Sequence, residues 1–176
     1  MTSQLRPALI ATPIPALYAC HVIWDDESQT ISATVERQAT APPNLARHIE
    51  RTLFEIDADR RLVLGDLDIL LDGESHFNAL EMRIGPRASW QQRPISAPLS
   101  IDGPADVAFD VDFDTNGIAV VEATVVTFFD AATGTLCFHI KDGTAVRHLQ
   151  LADTLRFGVD GDGRLTEILL GVDSLT

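Results

Sequence analysis

Apolar and polar residues alternate in several short segments of this chain. The clearest cases are Ile31–Val35 and Leu136–Ile140, in which every second residue is apolar. Successive side chains of a β-strand point to opposite faces, so a period of two indicates a strand with one face in a core. We expect both segments to be half-buried strands whose Ile, Ala, Val, Leu and Phe side chains point inward.

Each of these strands follows another apolar segment, with turn-forming residues between the two. The preceding segments, about Leu17–Trp24 and Ile118–Phe129, end at Asp25 and Asp130. Asp is common at turns because its carboxylate accepts hydrogen bonds from nearby backbone amides. The sequence therefore predicts one β-hairpin in each half of the chain.

A second hairpin is predicted in each half. Leu53–Ile56 leads through a turn into Leu62–Leu71, and Leu155–Val159 leads through Asp160–Gly163 into Leu165–Val172. Gly suits the turns because it accepts positive φ, and Asp binds the adjacent backbone. Each half is thus expected to be a β unit of two hairpins.

The two halves also match each other in sequence. Trp24–Val35 matches Phe129–Ile140, and Asp57–Leu62 matches Asp160–Leu165, in the same order along the chain. An internal repeat of this size indicates two copies of one supersecondary unit that share a core. We predict a single domain over residues 1–176 with two repeated units, residues 17–73 and 122–174, and an inserted segment, residues 74–121.

The remaining segments add strands and little helix. Asn-Gly between apolar residues is a strong hairpin signal, so we expect Val107–Phe113 and Ile118–Phe129 to pair around Asp114–Gly117. Phe77–Ile84 is a further strand candidate, and Asn44 could cap a short helical turn. The predicted fold is all-β and mainly antiparallel, with about ten strands in a sandwich or barrel-like domain built from the two units and at most short helical turns.

The C-terminal unit resembles a known family. Phe129-Asp130, a turn, the strand Thr135–Ile140, the turn Asp160–Gly163 and a strand beginning at Leu165 together are similar to the small bacterial domain-of-unknown-function family 2283. Members of that family typically have Tyr-Asp, an alternating strand, Asp-x-Asp-Gly and an Ile-Glu-Ile-Leu-like strand.

The likeness covers about residues 129–174 and, more faintly, residues 24–72. Phe129 and Trp24 stand where the family has Tyr, and Arg60 stands where it has the turn Gly. The family is uncharacterised, so the resemblance implies no activity. Some members resemble partners of small toxin-like proteins, which favours a binding role.

Charge narrows the possible partners. The 176 residues include 26 Asp and Glu but 13 Lys and Arg, a formal net charge of −13. This charge disfavours binding to nucleic acid or to an anionic membrane and favours a basic protein partner. No segment is apolar and long enough for membrane insertion as a helix. Two cysteines do not make a disulfide framework, so free thiols and a cytoplasmic location are expected.

Two Arg-His pairs stand at matching places in the repeated units and are the candidate ligand-binding residues: Arg47, His48, Arg147 and His148. Repeated units could bring them together at one site, because Arg can bind a carboxylate or phosphate with two hydrogen bonds and two His can share a metal. A structural role is the alternative. With Ile49 and Leu149 facing the core, His48 and His148 would point to solvent. Arg47 and Arg147 would lie near the rim of a sheet.

Other patterns suggest little chemistry. Asp110–Gly117 superficially resembles a calcium loop, but the position for the bidentate Glu is Val121. Cys137 and His139 would share one strand face and could form a thiolate–imidazole pair, or simply two outward side chains. We therefore assign no catalytic residue, no metal and no cofactor.

Three functions remain open from the sequence. The leading hypothesis is a non-catalytic acidic protein-binding module, or a subunit of a larger bacterial assembly. The first alternative is a small-ligand-binding protein or enzyme with a barrel-like interior, and the second is an acidic mimic of nucleic acid. A flat apolar patch rimmed by acid would favour the protein-binding module. A pocket lined by the Arg-His pairs would favour the small-ligand-binding protein or enzyme.

Overall fold

A computed structural model describes residues 6–37 and 60–172, and its regular structure there is almost entirely β. The described part contains fourteen strands and one short 3₁₀ turn, Arg87–Ser89. The all-β, mainly antiparallel fold predicted from the sequence is confirmed. The strands are β1 (Ala8–Pro13), β2 (Ala19–Asp25), β3 (Thr30–Glu36), β4 (Arg60–Leu64), β5 (Leu67–Leu71), β6 (Phe77–Arg83), β7 (Ile101–Asp102), β8 (Ala105–Asp110), β9 (Ile118–Val121), β10 (Val125–Asp130), β11 (Thr135–Ile140), β12 (Arg147–Ala152), β13 (Leu155–Val159) and β14 (Leu165–Gly171).

Twelve of the strands form two six-stranded sheets with the same order. The first sheet runs β2-β3-β6-β5-β4-β9, and the second runs β10-β11-β14-β13-β12-β7. In both sheets the first five strands are antiparallel and the sixth is parallel to its neighbour. The two sheets are therefore topologically equivalent, strand by strand.

The inner faces of the two sheets pack on one core. The predicted inward residues of β3 and β11 are buried, as alternation requires: Ile31, Ala33, Val35, Leu136, Phe138 and Ile140. Side chains of both sheets belong to one hydrophobic cluster, in which Phe77 of the first sheet meets Phe157 of the second edge to face at 5.1 Å. Burial of these side chains on both sheets provides the main stabilisation of the sandwich.

A two-stranded ribbon, β1 with β8, crosses one end of the sandwich. Leu9 N donates to Gly163 O at 2.9 Å, in the β13–β14 turn of the second sheet. Phe109 N donates to Ser75 O at 2.9 Å, in the β5–β6 turn of the first. The ribbon thus bridges the same turn of each sheet, and we call this end of the molecule the ribbon end.

Several local pairings differ from the expected ones. The turn Asp114–Gly117 forms, but the strands beside it do not pair with each other, since β8 pairs with β1 and β9 pairs with β4. The expected hairpin over Val107–Phe129 was wrong because a local turn signal does not specify which long-range edge each strand joins.

The first unit also has other boundaries than expected. The segment Leu62–Leu71 is interrupted by the turn Gly65-Asp66, so its two parts are β4 and β5. The segment predicted as an insertion, residues 74–121, supplies strands to both sheets, including β6 at the centre of the first. The expected strand Leu53–Ile56 and the helical turn at Asn44 lie outside the described residues.

Candidate functional site

The ribbon end is built around three copies of one turn. In each copy an Asp carboxylate oxygen accepts the backbone N–H groups two and four residues later, at 2.8–3.0 Å. The fourth residue of each turn has positive φ, 70–75°. The three turns begin at Asp72, Asp114 and Asp160. Such turns are stable because the carboxylate satisfies amides that would otherwise lack a partner.

The turns and the ribbon bring carboxylates together at this end. Six exposed carboxylates lie in or beside them: Glu74, Asp110, Asp112, Asp114, Asp142 and Asp162. Ile10, 55% exposed, lies on the outer face of the ribbon opposite Ala108. Ala11 and Pro13 of β1 are exposed as well, so the exposed surface of β1 is largely apolar and the carboxylates lie around it.

Arginines at the ribbon end are used within the structure. Arg6 pairs with Asp160 and donates to Asp142 O, while Arg164 donates to Arg6 O at 2.7 Å. Arg60 donates to Ser75 Oγ at 2.6 Å. These contacts hold the turns and the N-terminal strand together and leave the outer carboxylates facing solvent, alongside the exposed Lys141.

Asp160 is anionic in this setting. Burial tends to raise its pKa, but hydrogen bonds from the Arg164 and Asp162 amides, followed by the Arg6 guanidinium, lower the pKa overall. The turn therefore stays charged across the neutral pH range.

Of the two predicted Arg-His pairs, the structure describes Arg147 and His148. Arg47 and His48 lie outside the described residues. His148 is the first residue of β12 that pairs with β7, and Arg61 is the first residue of β4 that pairs with β9. His148 and Arg61 therefore occupy equivalent positions in the two sheets. Within the described residues, Arg60 and Arg61 of β4 are the structural counterparts of Arg147 and His148 of β12.

Arg147 lies at the rim of the second sheet, as expected. Its Nη1 is 2.9 Å from Asp102 Oδ2 on the neighbouring β7, and both side chains are about half exposed. Such an ion pair contributes about 0–1 kcal/mol to stability.

His148, in contrast, does not reach solvent. It faces away from the core as expected, but it is only 3% exposed, and its backbone N–H donates to Ser100 O at 2.9 Å. Its Nε2 is 2.7 Å from Glu167 Oε1. His148 Nδ1 is buried and has no hydrogen-bond partner within the described part of the chain. The residue is thus held by a buried His–Glu contact.

A row of outward side chains crosses the second sheet at this level. Strand register aligns His139, Glu167, Gly158 and His148 on neighbouring strands. A Cβ at Gly158 would lie 2.5 Å from Glu167 Cγ, so only glycine lets His148 reach over β13 to Glu167. His139 Nδ1 lies 3.6 Å from the other oxygen, Glu167 Oε2.

Two effects compete on Glu167. Burial tends to raise its pKa, but the hydrogen bond and charge of His148, and then the charge of His139, lower the pKa overall. The carboxylate between the two imidazoles is therefore ionised in the folded protein near neutral pH.

Cys137 and His139 do not form a thiolate–imidazole pair. Cys137 is fully buried, and its Sγ lies 3.8 Å from Glu167 Oε2. Burial first, and then the Glu167 charge, raise the pKa of the Cys137 thiol far above its usual range. A buried neutral thiol is unreactive at neutral pH. Of the two alternatives for Cys137 and His139, the contacts therefore favour two structural side chains on one strand face.

A groove of about 470 Å³ adjoins this row on the same face, beneath residues 95–98. Arg156 and Leu169, a cross-strand pair of β13 and β14, lie on its floor. Three residues of this face were not candidates from the sequence: Arg156, Glu167 and Gly158. Their inward neighbours Phe157 and Ile168 are buried in the core, so alternation along β13 and β14 is consistent with an outer-face position for all three.

No grouping of three or more His, Cys, Asp or Glu side chains in residues 6–37 and 60–172 could hold a metal ion. In the same residues no helix is long and apolar enough to cross a membrane. No protein family model matches the chain, and no curated protein matches it. The resemblance to family 2283 therefore stays a prediction.

Proposed function

We propose that this chain is a non-catalytic protein-binding module that uses its ribbon end to bind a basic surface of a partner protein. The observation that carries the proposal is the convergence of six exposed carboxylates around an exposed apolar ribbon. Apolar contact supplies affinity in such an interface, while the surrounding charges steer the encounter and select an oppositely charged partner.

The rest of the charge supports the same partner class. A formal charge of −13 attracts basic surfaces over a Debye length of about 8 Å at physiological salt. The side chains that could have carried covalent chemistry have structural contacts, because Cys137 is buried and His148 is bound to Glu167. Cys20 and Cys137 are both free thiols, which supports a reducing compartment such as the cytoplasm.

Charge reversal at one end of the sandwich tests the proposal. The test variant replaces Glu74, Asp112 and Asp162 by Lys at the ribbon end. The control replaces Glu27, Asp66 and Glu81 by Lys. Glu27 and Asp66 lie on turns at the opposite end of the first sheet, and Glu81 lies on the outer face of that sheet. Each triple changes the formal charge by +6, from −13 to −7.

The three proteins are immobilised and incubated with lysate of the native host at low and high salt, and the captured proteins are identified by mass spectrometry. We expect the wild type and the control to capture the same basic protein at low salt, and the ribbon-end variant to lose it. Equal loss from both triples, or from neither, would remove the ribbon end from the proposal.

A further inference from the structure

The groove on the second sheet offers a binding site distinct from the ribbon end. It lies between the outer face of β11, β13 and β14 and the connection that precedes β7. Its volume of about 470 Å³ is within the range of small-molecule sites, roughly 300–1,000 Å³. The groove does not overlap the surface proposed for the protein partner.

The connection over the groove is fixed at both ends. On one side, Phe129 N donates to Gln91 O at 2.8 Å, and Ile95 N donates to Asp130 Oδ2 at 3.0 Å. On the other side, Ser100 O accepts from His148 N at 2.9 Å. Because hydrogen bonds hold both ends, the groove exists before any ligand enters, which lowers the entropic cost of binding.

The groove is amphipathic. Its lining includes the apolar residues Ile95, Ala97, Pro98 and Leu169. The same lining includes Arg156, directly across the strand pair from Leu169. A ligand with a charged group and a short hydrocarbon chain would suit both kinds of lining residue.

Arg156 differs from the arginines that form ion pairs. Arg6, Arg37, Arg61 and Arg147 each form an ion pair with an Asp. Arg156 is half-buried, and within residues 6–37 and 60–172 it forms no hydrogen bond or ion pair with a protein group. A guanidinium that has lost part of its water shell is a strong binder of carboxylates, which it holds by two parallel N–H···O bonds.

We infer that the groove binds a small monocarboxylate with a short apolar tail, its carboxylate on Arg156 and its tail against Ile95, Pro98 and Leu169. A single negative charge is favoured over a phosphate dianion for two reasons. Asp153 also lines the groove, and the protein carries a net charge of −13. Both repel a doubly charged ligand more strongly than a singly charged one.

The test uses sodium hexanoate as the probe and its neutral isostere hexanamide as the comparison. The full chain is titrated with each compound and followed by ¹H–¹⁵N correlation NMR. We expect saturable shifts of the Ile95, Ala97, Arg156 and Leu169 amides with hexanoate, and affinity for hexanamide about tenfold weaker, near 1.4 kcal/mol.

Variants assign the effect to the guanidinium. Arg156→Gln should reduce hexanoate affinity about tenfold, and Arg156→Lys should reduce it less, since Lys keeps the charge but not the planar fork. The control Arg61→Gln, on the outer face of the first sheet, should leave affinity unchanged. Dispersed spectra of each variant show that it is folded, and Arg156→Lys serves as the test if Arg156→Gln does not fold.

Equal binding of hexanoate and hexanamide, or shifts that do not saturate, would overturn the inference. So would an Arg61→Gln effect as large as that of Arg156→Gln, because binding would then follow overall charge and not this groove. Failure here would leave the ribbon-end proposal untouched, since neither triple charge variant alters Arg156.

Discussion

The two sheets have the same strand order, but their outer faces differ in which side chains they carry and in how far those side chains are buried. Glu167 lies between His139 and Gly158 in the second sheet, where the first sheet has Ala79 between Thr34 and Leu70. Leu70 is 46% exposed in the first sheet. The corresponding row of the second sheet contains a buried His–Glu contact that exists only because Gly158 has no side chain.

The difference arises from what covers each face. In the second sheet the connection before β7 lies over part of the outer face, where Ile95 packs against Phe128, Cys137 and Leu169, and His148 on the same face is 3% exposed. In the first sheet, Arg61 and Asp68 form an ion pair on the outer face, and both side chains are more than one-third exposed. One topology thus supports either a solvated polar face or a covered one, and the covered face is where polar groups acquire buried partners and where a groove forms.

The largest expected effect comes from His148→Ala. This change leaves the Glu167 carboxylate largely buried without its closest partner, which costs about 3 kcal/mol of unfolding free energy. Arg61→Ala at the equivalent position of the first sheet should cost about 0–1 kcal/mol, because that pair is exposed. Urea unfolding of both variants measures the difference, and equal losses would contradict the contrast between the faces. We also expect His148→Ala to leave capture of the protein partner unchanged.

A smaller loss is expected from Gly158→Ala. The new methyl group would meet the Glu167 side chain and displace it from His148, a cost of about 1–3 kcal/mol. The matched change in the first sheet, Leu70→Ala, removes an exposed side chain and should change stability by at most about 0.5 kcal/mol. Thermal unfolding compares the two, and a Gly158→Ala protein as stable as wild type would show that the His–Glu contact tolerates a side chain between its partners.

The pH dependence of stability should differ between the faces as well. The folded protein lowers the pKa of Glu167, so the ionised carboxylate stabilises the fold. This stabilisation is fully present above the pKa of Glu in the unfolded chain, about 4.3. It is lost as the pH falls through the lower pKa of the folded state. Glu167→Gln should therefore make the loss of stability in acid shallower than in wild type. Glu81→Gln on the first sheet is the control, and a steeper acid loss in Glu167→Gln would contradict the assigned sign.

Local patterns predicted the strands better than their partners. Alternation identified Ile31–Val35 and Leu136–Ile140 as half-buried strands because burial of one face is written in the side chains themselves. The partners of β8 and β9 depend on edges far away in sequence, so the Asn-Gly turn between them predicted a hairpin that does not form.

The candidate site was predictable only in part. His148 was identified by its match in the repeat, and Arg147 was placed correctly at the rim. Burial of His148 is a tertiary effect, and strand alternation alone predicts only that the side chain faces away from the core. Glu167 is the partner of His148 because strand register places both beside Gly158. That register cannot be read from a sequence whose strand pairs are unknown.

The most direct test of the central claim, that the acidic ribbon end binds a basic protein, is the affinity of the captured partner measured by calorimetry as ionic strength rises. For the wild type and the opposite-end control we predict affinity that falls steeply with salt, because screening weakens the attraction between the carboxylates and the partner. For the variant with Lys at Glu74, Asp112 and Asp162 we predict weak binding and a shallow salt dependence. A wild-type affinity that does not change with salt, or a ribbon-end variant that binds as tightly as wild type, would contradict the account.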